Sequence, residues 1–237
     1  MDRRMLKKPR LLDLFCGAGG ASKGYHDAGF EVVGVDINNQ RNYPYEFHKA
    51  DAMTFPLDGF DFIHASPPCQ AYSITKHTHG KEHPDLLAPT RQRLQESGLP
   101  YVIENVIGAP MPGSVILCGA YFGLTATDTD GSKLVLKRHR QFESNVQLKK
   151  YPCFCAAYKS AGYKVGGVYG GGSTDRHHAE HVRHGGYTPA KSVREELMGI
   201  DWMSMAALNQ SIPPIYTKFI GIQLLEKTRN DYTQSTR

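Results

Sequence analysis

Cys69 sits in the stretch "ASPPCQAYS", behind two prolines and just past the apolar run "FDFIHA". Pro67 and Pro68 fix φ and withdraw two amide donors, which stiffens a loop leaving a strand. A thiol attacks carbon only with thiolate character and a fixed line of approach, and such a loop can supply both. Gln70, Tyr72 and Ser73 follow, polar company for a cysteine. A lone cysteine is more often a small apolar filler, so this stretch alone leaves both uses open. "ENV" at Glu104 to Val106 brings an acid and an amide to the end of the next apolar run, over the same crevice. A helix cap or an exposed loop carboxylate is the other reading of that acid.

A second group of residues suits a ligand rather than a reaction. In "DLFCGAGG", Gly17, Gly19 and Gly20 stand between a strand and a helix. Bare backbone there lets a ligand approach, and the helix N-terminus favours polar groups. Asp36 ends the strand "EVVGVDI", where an acid can accept hydrogen bonds from ribose hydroxyls. Asp51, in "HKADAMTF", stands where a third strand ends. Together they point to a nucleoside-containing cofactor, against the alternative that the glycines pack tightly and the aspartates cap helices.

These residues need a frame. "RLLDLF", the glycine turn, helical "SKGYHDAGF" and "EVVGVDI" give strand, turn, helix and strand in under 30 residues. That is the opening of a doubly wound α/β sheet, mostly parallel, whose ligands sit beyond the carboxyl ends of the strands. "FDFIHA" and "PYVIENV" read as further buried strands, separated by helical "PDLLAPTRQRLQESG" with its glycine stop. "GSVILCGAYFG" reads as strand or strand-turn, and "LKRHRQFES" begins another strand. Arg138 and Arg140, two apart on it, would share one face. "SVREELMGIDWM" reads as a helix capped by Ser192 with Glu195 as its box partner. A last helix from "PPIYTKFIGIQLLEKT" offers Ile215, Phe219, Ile222 and Leu225, and "NDYTQSTR" reads as a tail.

The chain of 237 residues is long enough for one large domain or a domain with a small appendage. The divisions expected are residues 1–148 for the first part of a catalytic and cofactor-binding domain, 149–191 for a small irregular region, and 192–237 for helices returning to the first. No apolar run approaches a membrane span, and "MDRRMLKKPR" lacks the apolar core of a signal peptide. The five cysteines are odd in number and scattered, which suits a reducing, cytoplasmic setting. From Lys133 to Arg194, 12 Lys and Arg stand against three acids, an excess of +9 in a chain whose formal charge is +5. That excess faces either solvent or a polyanion, nucleic acid first among them. Cys153-x-Cys155, with His177, His178, His181 and His184, raises zinc. The C-x-C spacing is poor for a C-x2-C knuckle, so no metal site is expected.

"DLFCGAGG", "SPPCQAYS", "ENV" and "RHR" occur in the order and approximate spacing of cytosine-C5 DNA methyltransferases, which the chain resembles over most of Leu11 to Glu143 and again near the carboxyl end. Its compactness is similar to that of the small bacterial and bacteriophage enzymes. Leu136 stands where the family's arginine block commonly begins with Gln, and "NQSIPP" stands where Gly-Asn-Ser-Val is usual. The resemblance implies a Rossmann-like, S-adenosylmethionine-dependent fold with a target-recognition region at about 149–191. It implies a catalytic set of Cys69, Glu104, Arg138 and Arg140, with Cys69 attacking C6 of a flipped-out cytosine. It assigns Phe15, Gly17, Gly19, Gly20, Asp36, Ile37, Asp51, Pro68, Gln210 and Ser211 to the cofactor. Gln70, Ser73, Asn105, Arg138, Arg140, Arg176 and Arg183 are expected to meet double-stranded DNA, the partner of a monomeric enzyme of the nucleoid or, if viral, of the host cytoplasm. The same chemistry on RNA or with a modified C5 substituent, or an idle DNA-binding relative, are the alternatives.

Overall fold

The structure is a computed structural model that describes residues 7–69, 72, 85–169 and 188–235, with side chains through residue 227. Its centre is a seven-stranded sheet of order β3-β2-β1-β4-β5-β9-β6. The strands are β1 (Arg10–Leu14), β2 (Glu31–Asp36), β3 (Glu46–Lys49), β4 (Phe62–Ala65), β5 (Tyr101–Val106), β6 (Val115–Leu117) and β9 (Arg140–Ser144). The first five run parallel, and β9 is antiparallel to both β5 and β6. The chain winds outward from β1 to β3 and then restarts at β4 beside β1. Strand order therefore reverses between β1 and β4, and the loops after those two strands open on one crevice.

Two apolar layers cover the sheet, as the period of a strand requires. Leu12, Leu14, Val33, Ile63 and Ile103 point to the side of α2 (Leu87–Ser97), with Leu87 and Leu94. Leu11, Val32, Phe62, Val102 and Phe142 point to the opposite side, with Tyr25, Tyr216 and Ile220. That side is covered by α1 (Gly20–Ala28) and the last helix, which pack closely against each other. Arg91 on α2 grips Glu143 with two hydrogen bonds, 2.6 and 2.8 Å, and so ties β9 to the other layer.

A smaller sheet, β10-β8-β7, holds β7 (Thr125–Thr127), β8 (Lys133–Leu136) and β10 (Lys164–Gly166). β10 pairs with β8, so this sheet crosses the division expected at 148/149. Between them lies the short α3 (Cys155–Ser160), and α4 (Lys191–Met198), α5 (Met205–Gln210) and α6 (Pro214–Ser235) complete the chain. No helix among the described residues is long and apolar enough to cross a membrane.

Three expectations are corrected. The cap of α4 is Ala190, with no side-chain cap, rather than Ser192. Glu195 instead meets Lys191 one turn back, at 2.7 Å. α6 continues to Ser235, through most of the stretch read as a tail. Its buried stripe is Tyr216, Thr217, Ile220 and Leu224, while Ile222 is 43% exposed. The stripe is displaced because α6 meets α1 through small residues, and large apolar side chains there would hold the helices apart. A β-carbon at Gly24 would collide with the Pro214 carbonyl and the Thr217 hydroxyl, and one at Gly221 would stand 2.8 Å from Ala28 Cβ. Gly24→Ala should therefore destabilise the fold by about 1–3 kcal/mol, the usual cost of overpacking, read from the midpoint of urea unfolding.

Candidate active site

The polar residues of the site arise from one irregularity in the alternation of the strands. On the face toward α1 and α6, each central strand carries a polar residue near its carboxyl end. These are Asp13 on β1, His64 on β4 and Glu104 on β5, all buried. Asp13 and His64 are register partners on neighbouring strands. β9 runs the other way, so its first residue, Arg140, arrives at the same end of the sheet. It lies opposite Val106, diagonal to Glu104.

Glu104 is 7% exposed, and its carboxyl pKa is raised by burial, against the opposing pull of Arg140, Ser66 and Arg138. Arg140 Nε lies 3.1 Å from Glu104 Oε1. The contact is an ion pair without a hydrogen bond, and Oε1 is buried with no hydrogen-bond partner. Ser66 hydrogen-bonds the carboxylate from behind, and Ser66 Oγ is 2.9 Å from His64 Nε2. His64 Nδ1 in turn lies 3.0 Å from the Tyr25 hydroxyl. Burial pulls the His64 pKa down to about 3, so its ring is neutral. A neutral ring has one donor and one acceptor. With Ser66 donating to Glu104, the Tyr25 hydroxyl donates to Nδ1 and Nε2–H donates to Ser66.

Cys69, half-buried, ends the Pro67-Pro68 loop beyond β4. Burial and then Glu104 raise its thiol pKa, while Arg140 and Arg138 oppose them. Asn105 points to the other side of β5 and is 1% exposed. Its amide donates to the Pro67 carbonyl at 3.1 Å and its own oxygen accepts from the Val106 amide, so β5 holds the loop that presents Cys69. Tyr72 N donates to the Cys69 carbonyl at 2.9 Å, closing the turn.

Arg138 lies between β8 and β9, not on a shared strand face with Arg140, because β9 begins only at Arg140. Its guanidinium donates to the carbonyls of Val168 at 2.6 Å and Asn209 at 2.8 Å, and its Nε has no partner. Burial lowers its pKa to about 9, which still leaves it charged at neutral pH. Arg138 thus joins the start of β9 to the chain on either side of residues 170–187.

At the adjoining end of β1, Phe15 holds φ at 59°, uncommon for a bulky residue, and Gly17 holds 50°. Nothing lies within 4 Å of where a Gly17 side chain would be. Asp36 Oδ2 accepts from Gly17 N at 3.0 Å and Oδ1 from Asn38 N at 2.8 Å, which fixes the carboxylate beside the turn. Ile37 is 66% exposed, an uncovered apolar side chain next to that acid. Asp51 is exposed and accepts from Met53 N at 2.8 Å. Pro68 is half-buried, next to Cys69. Ser211 packs against Gly20, where a β-carbon would strike its hydroxyl, and Gln210 is exposed beside it. An open glycine backbone, a fixed carboxylate and a bare apolar surface suit an adenosyl group, whose ribose is polar and whose base is flat and apolar.

Three residues of this region escape a reading of the sequence. Asp13, inside "RLLDLF", accepts a hydrogen bond from Ser22, which itself accepts from Tyr43 at 2.7 Å. Burial pushes the Asp13 pKa up to about 7, and its Oδ1 has no partner. His64 and Ser66 are the others; for Asp13 and His64 the available signal was a titratable residue within an apolar run. Gln70, Ser73, Arg176 and Arg183 lie outside the described residues, as do His177, His178, His181 and His184. Cys153 and Cys155 meet two residues that the sequence did not associate with them, Cys118 and His139.

Comparison with known proteins bears on the fold and on residues 9–108. Residues 9–108 match the family model of C-5 cytosine-specific DNA methylases, and that span holds the glycine turn, Cys69 and Glu104. A search of curated protein sequences found no match. Among solved structures, the chain is similar to an Escherichia coli prophage-encoded putative DNA modification methyltransferase. The TM-score is 0.56 at 14% identity, covering 92% of this chain and 99% of the other. It is similar also to Schizosaccharomyces pombe Dnmt2 methyltransferase, TM-score 0.59 at 13% identity, with 94% and 100% covered. A third is the Entamoeba histolytica methyltransferase EhMeth, TM-score 0.52 at 14% identity, with 95% and 99% covered. At such identities the structures speak for the fold, and the family model speaks for the chemistry of its first half. Residues 9–108 thus carry the sequence pattern of C-5 cytosine-specific DNA methylases, on a fold shared with these methyltransferases.

Proposed function

We propose that this chain methylates C5 of a cytosine flipped out of duplex DNA, with Cys69 as nucleophile and Glu104 as acid. The observation that carries this reading is the pairing of a half-buried Cys69 on a stiffened loop with a buried Glu104 whose pKa burial raises, both under the influence of Arg138 and Arg140. Cytosine C5 is a weak nucleophile. Attack of Cys69 sulfur on C6 forms a C–S bond and pushes the ring electrons toward C5 and N3. Glu104, whose burial favours its protonated form, donates to N3 through the carboxyl and so neutralises charge as it develops. C5 would then take the electrophilic methyl group that the family's donor, S-adenosylmethionine, supplies when bound, the S–CH3 bond breaking to leave S-adenosylhomocysteine. Loss of the C5 proton to solvent and return of the N3 proton to Glu104 restore the ring, and the C–S bond breaks as Cys69 leaves as thiolate.

The protein's own groups prepare each step. Asn105 sets the position of the loop, and the arginines counter the burial that disfavours a Cys69 thiolate. Phe15, Gly17, Gly19, Gly20, Asp36, Ile37, Asp51, Pro68 and Ser211 would hold the donor beside them, with Gln210 at the rim. Asp36 would receive the ribose and Ile37 the adenine face. Lys137, Lys150 and Lys159 are exposed on the basic part of the chain, where DNA phosphates would lie, and Gln70, Ser73, Arg176 and Arg183 would extend that contact. The proposed setting is the cytoplasm.

Transfer of labelled methyl groups tests the substrate directly. Duplex DNA should be labelled and RNA should not; labelling of RNA alone would overturn the choice. Cys69→Ser should abolish transfer, and Glu104→Gln should slow it by about 10²-fold or more, since N3 loses its proton donor. DNA affinity should fall by about 10³-fold between roughly 50 and 200 mM salt, the response expected for about six neutralised phosphates. The buried His64 predicts a pH effect on stability. Below pH 6.5 the unfolded chain protonates His64 while the folded chain does not until about pH 3. The unfolded state binds the extra proton, so stability falls as pH drops through this window. Relative to His64→Asn, the wild type should lose about 1 kcal/mol between pH 6.5 and 5.5, read by urea unfolding, the slope steepening toward about 1.4 kcal/mol per pH unit below that.

A further inference from the structure

We infer that Cys118, His139, Cys153 and Cys155 bind one zinc ion. Their donor atoms all lie within 4.8 Å of one another. Cys118 Sγ is 3.2 Å from Cys155 Sγ and 3.8 Å from Cys153 Sγ, and His139 Nε2 is 3.3 Å from Cys153 Sγ. Tetrahedral zinc, with Zn–S near 2.3 Å and Zn–N near 2.0 Å, requires S···S separations of about 3.8 Å and S···N separations of about 3.6 Å. The Cys118–Cys153 and His139–Cys153 separations already lie close to these values, and Cys118–Cys155 is about 0.6 Å short, so a small side-chain adjustment would close a tetrahedral set. Three thiolates and an imidazole exclude hard cations such as magnesium and calcium, and they match structural zinc by softness and number. A disulfide between two of the sulfurs would leave a third sulfur and the ring unexplained.

The surroundings support an ion. The Cys155 amide points at Cys153 Sγ at 3.4 Å, a donor toward a sulfur that would carry charge. The cluster borders a pocket of about 290 Å³ lined by Leu117, Tyr121, Tyr151 and Pro152, which gives an ion a way in. The donors come from three separate segments. Cys118 follows β6 at the sheet edge, and Cys153 and Cys155 lie at the start of α3, 37 residues beyond it in the case of Cys155. His139 stands between Arg138 and Arg140. An ion here would therefore fasten the beginning of the region at 149–191 to the edge of the catalytic sheet, and would brace the short connection that carries both arginines. It holds all its ligand positions with protein groups, so it is structural and takes no part in the chemistry at Cys69.

The test is metal analysis of the full chain, expressed in zinc-supplemented medium and purified under reducing conditions without chelator. One zinc per chain is expected, retained in Cys69→Ser and lost in Cys118→Ser and Cys155→Ser. Because those two variants can fail to fold, His139→Cys provides a second arm. It offers a fourth thiolate and should keep the metal, and the cobalt(II)-substituted protein should show a stronger sulfur-to-cobalt charge-transfer band than wild type. In the folded wild type, zinc should also protect Cys118, Cys153 and Cys155 from alkylation, with Cys69 still reactive. Chain that stays metal-free after zinc supplementation overturns the inference. So does zinc that persists in both serine variants, which would place it on the histidines at 177–184, or alkylation of the three cysteines that zinc does not slow.

Discussion

A carboxylic acid stripped of water is held in place only if its neighbours answer it, and the architecture around Glu104 consists of such answers. Burial alone moves its pKa upward; the Arg140 guanidinium, the Ser66 hydroxyl and Arg138 pull the other way. Each comes from a different element. Ser66 follows β4, Arg140 opens the antiparallel β9, and Arg138 hangs from the connection before it. A carboxyl poised between these influences can hold a proton for transfer in a way that a solvated glutamate does not. The direction of β9 matters here, because only a strand running against β5 brings its first residue to the carboxyl end of its neighbour.

The same strand, β5, serves two faces with consecutive residues. Glu104 turns toward α1 and α6, where Ser66, His64 and Tyr25 form a hydrogen-bonded line behind it. Asn105 turns the other way and takes the Pro67 carbonyl, which sets the loop of Cys69, the proposed nucleophile. Alternation along a strand thus places Glu104 and the support of the Cys69 loop on opposite sides of the sheet. The close contact of α1 with α6 completes this frame. It carries Tyr25 against His64 and Tyr216 against the Arg138 carbonyl, at 2.8 Å.

Much of this was legible in the residues. The strands β1, β2, β4 and β5 are short apolar runs ended by turns, and the glycine stop of α2 falls at Gly98 as a left-handed cap. Motifs within one loop or one strand end, such as Cys69 behind its prolines, also read directly. What stayed hidden depends on partners far away in the chain. His64 reads as one residue of an apolar run until Tyr25 and Ser66 are seen on its two nitrogens. The buried stripe of α6 is set by Gly24 of another helix, not by its own periodicity. Cys153 and Cys155 suggested the nearby histidines, whereas the fold brings them Cys118 and His139.

The central claim is that Cys69 forms a covalent bond to cytosine C6 with Glu104 as the acid. Incubation with S-adenosylmethionine and duplex DNA carrying 5-fluorocytosine, followed by mass spectrometry of the digested protein, tests it most directly. Fluorine at C5 cannot leave as a proton does, so the adduct is held. The account predicts a DNA–protein conjugate mapped to Cys69 and greatly reduced in Glu104→Gln. Methyl transfer to unmodified cytosine without any trapped adduct at Cys69, or an adduct at another residue, would contradict it.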